Sequence, residues 1–87
     1  ERSRKIKDLE VLSRKTKQTQ IFMETPYRNI QLFESVLKVC SKNTKLCIAA
    51  NITFDSENIK TKTIEEWKLS SPPNIHKSPT IFLIHAR

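Results

Sequence analysis

Polar residues gather wherever an apolar run stops in this chain. Glu24, Thr25 and Arg28 follow Ile21, Phe22 and Met23; Asn51 and Thr53 follow the run 46–50; Lys62 and Thr63 stand just before Ile64. Together they offer hydroxyls, an amide, a carboxylate and two cations. In open α/β sheets, ligands bind beyond the carboxyl ends of strands, beside unpaired N–H groups at helix starts. If these strand ends converge on one edge of a sheet, the set suits a small polar ligand or a nucleotide better than it suits bond cleavage. Arg28 falls in the first turn of a helix, an unfavourable place for a cation, which points to a ligand or an ion pair. The plainer reading of this joint is that it only starts a helix. Thr25 then serves as N-cap and Pro26 takes the first position, where its missing N–H costs nothing.

Other reactive side chains are few. Cys40, Cys47, His76 and His85 include no close pair at the usual ligand spacing, so no metal site is expected. Both cysteines sit in apolar patterns, where thiolate formation is disfavoured, and His76 falls in a proline-rich loop. Two cysteines without a leader fit a reducing, cytoplasmic setting.

Periodicity predicts the elements that must position these groups. Residues 3–17 fit a helix with Ile6, Leu9 and Leu12 on a thin apolar stripe. Around it lie Arg4, Lys5, Lys7, Arg14 and Lys15, the candidate RNA-binding residues, for which a solvated face is the simpler account. No aromatic residue interleaves with them, so base stacking is not expected there. Residues 21–23 read as a short buried strand, and 26–41 as a helix with Leu32, Phe33, Val36, Leu37, Val39 and Cys40 on its apolar face. Asn43 then takes the left-handed position past the helix end.

Residues 45–52 read as a central strand covered on both faces, and its Ala49 and Ala50 are small enough to let a planar ligand approach the backbone. Residues 57–62 form a shorter strand nearer an edge. Thr63 and Glu66 fit a capping box that opens a short helix with Ile64 and Trp67 inward. Residues 70–79 carry three prolines and form a loop, and 80–85 make a last, central strand. This order gives a single α/β sandwich with a mixed sheet.

The 87 residues make one small domain. Sixteen Lys and Arg against nine Asp and Glu give +7, which favours anionic partners. Residues 1–17 hold seven basic and three acidic residues, so the charge is front-loaded. With Gly 0, neither a P-loop nor a GxGxxG turn is present. No apolar run nears the ~18 residues that would span a bilayer. The chain opens at Glu1 in helical character and reads as a piece of a longer protein.

Four stretches, IFMETPYRN, LCIAANIT, IKTKTIEEW and PTIFLI, resemble in order and spacing the C-terminal domain of the tetrapyrrole methylase superfamily. The resemblance is nearest to the branch that methylates a ribose 2′-hydroxyl of small-subunit ribosomal RNA. It implies the C-terminal half of a two-domain, S-adenosylmethionine-dependent methyltransferase, with the donor held between this half and an N-terminal domain of the same protein. It also implies a homodimer. By the same resemblance Glu24, Thr25 and Pro26, then Ala50, Asn51 and Thr53, then Thr61, Lys62 and Thr63 are the donor-contacting segments, with the catalytic base unassigned. Tyr27, Asn51 and Lys62 depart from the family's usual His, acidic residue and Gly. The alternatives are a half-domain of a corrin-precursor methyltransferase and a non-enzymatic basic RNA-binding module.

Overall fold

The computed structural model describes residues 2–52, 54–55 and 57–86. The elements run α1 (Arg2–Thr16), β1 (Gln20–Phe22), a 3-10 turn (Pro26–Arg28), α2 (Asn29–Val39), β2 (Lys45–Ala50), β3 (Asn58–Thr63), α3 (Ile64–Leu69) and β4 (Thr80–His85). The helix–strand order is the one that periodicity predicts.

The four strands lie in the order β1-β4-β2-β3, so β2 and β4 are central and β3 is an edge, as expected. Every neighbouring pair is antiparallel, which corrects the expectation of a mixed sheet. The reason is topological. β4 inserts between β1 and β2 and runs against both, while β3 turns straight back on β2 as a hairpin.

The helices cover one face of this sheet. Leu46, Ile48, Ala50, Phe82 and Ile84 form that inner face and share a buried cluster with Ile6 of α1, Leu32, Phe33 and Val36 of α2, and Ile64 and Trp67 of α3. Fixing α3 there, the indole of Trp67 meets Phe33 edge-on at 5.7 Å and donates to the Leu46 carbonyl at 2.8 Å. The other face was expected to be covered too. Instead Cys47, Ile81 and Leu83 are only half-buried, and Ile21 and Ile59 are exposed.

Two local expectations also change. The helix expected to begin at Pro26 starts as a 3-10 turn, in which the Arg28 N–H donates to the Thr25 carbonyl at 2.8 Å. Thr25 occupies the cap position without a side-chain cap bond. At the far end Cys40 leaves α2 in an extended conformation. Among the described residues, positive φ falls on Lys17, Asn51 and Lys77, not on Asn43.

The inward side of α1 is not the stripe that its leucines suggest. Leu12 is exposed, while Glu10 and Ser13 are buried. The Glu10 carboxylate accepts from the Ser41 N–H at 2.7 Å, from the Thr44 hydroxyl at 2.5 Å and from the Lys7 ammonium at 2.8 Å. Ser13 accepts from the Ala86 N–H at 3.0 Å. Hydrogen bonds therefore anchor α1 as much as apolar contact does.

Candidate functional site

Register decides which strand ends meet. Ala50 pairs with Thr80 on one side and Asn58 on the other, and Phe22 pairs with Phe82. The end of β1, the end of β2 and the start of β4 therefore share one edge. A shelf of about 380 Å³ opens there, lined by Met23, Glu24, Pro26, Ala49, Ile52, Pro79, Thr80 and Ile81. Ala49 sits between Ile81 and Ile59 in the cross-strand register, and its short side chain leaves room above the sheet.

Asn51, with φ of 54, ends β2 in the left-handed region, where Asn is among the tolerated residues. Its N–H donates to the Pro79 carbonyl at 2.8 Å, tying the end of β2 to the start of β4. Asn51 is not itself part of the shelf's lining. Glu24 stands at the rim, where its carboxylate accepts from the Thr25 N–H at 3.2 Å. Thr25 is exposed, and Ala50 is buried on the helix side. Thr53 lies outside the described residues.

The remaining expected residues are elsewhere, which corrects the single convergent edge. Thr61, Lys62 and Thr63 pair with Cys47, Leu46 and Lys45, so Thr63 lies at the start of β2 and about 14 Å of strand separates it from Ala49 on the shelf. The cause is the hairpin, which points the last residues of β3 away from the last residues of β2. The Lys62 ammonium lies 4.8 Å over the Trp67 ring and donates to the Ser70 hydroxyl at 3.0 Å. Thr63 keeps its capping role. Its hydroxyl accepts from the Glu66 N–H at 3.2 Å, and the Glu66 carboxylate accepts from the Thr63 N–H at 2.8 Å, which holds that carboxyl below its ordinary pKa.

The five candidate RNA-binding cations of α1 divide as well. Lys7 and Arg14 turn toward buried Glu10, at 2.8 and 4.0 Å. Burial opposes the Glu10 charge, but bonds from Lys7, Thr44 and Ser41 outweigh it and hold the carboxyl below its usual pKa. Next to it, burial and the Glu10 charge push the Cys40 thiol up to about 12, so this cysteine is a neutral core group. Arg4 and Lys5 line instead a groove that they share with Arg28 and that adjoins the shelf at Met23 and Glu24. Lys15 remains exposed near the end of α1. These cations do not form one continuous face.

Asn29 is the positioning residue that sequence reasoning missed. Fully buried at the start of α2, its amide nitrogen lies within hydrogen-bond distance of the Ile75 carbonyl at 2.8 Å, the Ser78 carbonyl at 2.6 Å and the Thr80 hydroxyl at 3.1 Å, and its two N–H groups are shared among these acceptors. It thereby fixes the segment that delivers Pro79 and Thr80 to the shelf. Its acceptors lie 46 to 51 residues away, so no local signal marks it.

Among the described residues no group of His, Cys, Asp or Glu is placed to hold a metal ion, and no helix is long and apolar enough to cross a membrane. No family model and no curated protein matches the sequence. Among solved structures, the crystal structure of the methyltransferase CobJ matches 93% of this chain with a TM-score of 0.55 at 15% identity. The chain spans 34% of the length of that structure. At this identity the likeness is one of fold: the chain is an α/β sandwich similar to about a third of that methyltransferase.

Proposed function

We propose that the chain is the donor-binding half of an S-adenosylmethionine-dependent methyltransferase, facing an N-terminal domain of the same protein across the shelf. The acceptor in this reading is a ribose 2′-hydroxyl of small-subunit ribosomal RNA, a polyanion suited to the net charge of +7. The observation that carries the proposal is the shelf itself. It lies at the carboxyl ends of β1 and β2, open on one side, in a chain whose fold matches about a third of a methyltransferase.

The lining fits such a donor. Ala49 leaves a flat floor that a larger side chain would fill, Met23, Ile52 and Ile81 offer apolar walls for a planar base, and Glu24 places negative charge at the rim. When bound, S-adenosylmethionine supplies a methyl group on a cationic sulfur. This chain's residues hold the donor, shield one side of it from water and, through Asn29 and Asn51, fix the backbone segments that make the floor. Glu24 is the shelf's only titratable lining residue among the described residues. Positioning therefore falls to this chain, and removal of the acceptor's proton falls to groups beyond the shelf.

Titrating the isotopically labelled 87-residue chain with S-adenosylhomocysteine tests the proposal by NMR. Shifts are expected at residues 23–26, 49–52 and 79–81, with 61–63 unmoved. Still amides at the shelf, in this chain and in the full-length protein alike, would overturn it.

A further inference from the structure

A second, larger hollow of about 830 Å³ meets the shelf at Met23 and Glu24. It runs between α1 and β1, and Arg4, Lys5 and Arg28 stand around an apolar floor that includes Leu9, Phe22 and Leu32. Among the described residues none of these three cations has a hydrogen-bond or ion-pair partner. β1 itself is an edge. It pairs with β4 along one side, and no described strand pairs with the other. Ile21 and Met23, in and just after this strand, are 65% and 66% exposed.

An open strand edge presents backbone donors and acceptors that accept an added strand. Side chains of an added strand would alternate between the two faces of the sheet. On the helix side they would meet Arg4, Lys5 and Arg28; on the other they would flank Ile21. We propose that this edge receives an extended acidic segment of a partner protein, which lengthens the sheet beyond β1 with carboxylates on the helix side and apolar residues on the other. The inference goes beyond the methyl-donor reading and does not depend on it.

Charge and geometry favour this occupant over two others. A single-stranded RNA needs exposed rings for stacking, but Phe22, the only aromatic residue among the described residues that line the groove, already stacks on Phe82 with centroids 5.8 Å apart. A second copy docked edge to edge would set one trio of cations against another.

The test uses the full-length protein and a fluorescein-labelled peptide of alternating glutamate and valine, read by anisotropy. The acidic peptide is expected to bind, and its lysine–valine counterpart to bind at least tenfold more weakly. The double variant Arg4→Glu/Arg28→Glu, at two exposed positions, should reverse that preference, and the gain of lysine-peptide binding reports that the variant is folded. Methylating alternate backbone nitrogens of the peptide removes the ladder bonds on one edge only. One methylation phase should therefore abolish binding and the other spare it. Equal binding of both peptides, or indifference to both methylation phases, would overturn the proposal. So would preferential displacement of the acidic peptide by oligouridine at matched charge.

Discussion

A buried carboxylate on a helix whose leucine spacing predicts only an amphipathic stripe is the chain's least expected residue. Ile6, Leu9 and Leu12 repeat at a helical spacing, but so do Ile6, Glu10 and Ser13, and the structure buries the second set. The choice is made by Ser41 and Thr44, about thirty residues on, which offer donors that no local pattern reveals. The cysteines show the opposite case: Cys40 lies in an apolar run that sequence alone marks as core, and it is core. Replacing Glu10 by Gln should destabilise the protein by about 1–3 kcal/mol, because the Lys7 ion pair is lost and buried donors face a neutral amide. Urea midpoints check this. The pH dependence has a definite sign. The folded pKa of Glu10 is depressed, so its contribution is complete above the unfolded carboxylate pKa of about 4.3 and drains away as pH falls through the lower folded value. Stability of the wild type should therefore fall more steeply in acid than that of Glu10→Gln. Asn29→Ala should cost about 1 kcal/mol by removing amide bonds to the Ile75 and Ser78 carbonyls, which keep the Ser78 N–H and the Thr80 hydroxyl as partners.

Elements were legible where their signals are short-range. The capping box is local to four residues, and both its bonds form between Thr63 and Glu66. Thr63→Ala should cost about 1 kcal/mol and fray α3, with Trp67 fluorescence shifting red at a lower urea concentration than in the wild type. Strand direction was not legible, because the sequence places β2 and β3 next to each other without saying which way β3 runs. That one ambiguity misplaced Thr61, Lys62 and Thr63, by two residues of strand from the level of Ala49 at Thr61 and by four at Thr63. Thr25 and Pro26 mark a helix start, yet the first turn tightens to 3-10 and leaves α2 to begin at Asn29. There the amide of Asn29 is committed to the β4 side of the molecule rather than to its own helix.

At the scale of the molecule, helices protect one face of the sheet and leave the other half-open, so the shelf is open rather than enclosed. Ala49 is the residue that separates a ligand shelf from a simple gap between strand ends. It is buried in the central strand, between partly open Ile81 and exposed Ile59, and a larger side chain there would rise into the 380 Å³ space without displacing the core on the other face. In the full-length protein, Ala49→Leu should lower S-adenosylhomocysteine affinity at least tenfold while melting within about 4 °C of the wild type, the shift expected for a change near 1 kcal/mol or less. Thr61→Val, on the same face but toward the opposite end of β3, should leave affinity unchanged. Calorimetric titration beside thermal melts distinguishes the outcomes. A loss of affinity confined to Ala49→Leu locates the donor on the shelf. Equal losses in both variants would mean that the donor spans the sheet face, and unchanged affinity in Ala49→Leu would remove the shelf from the site altogether.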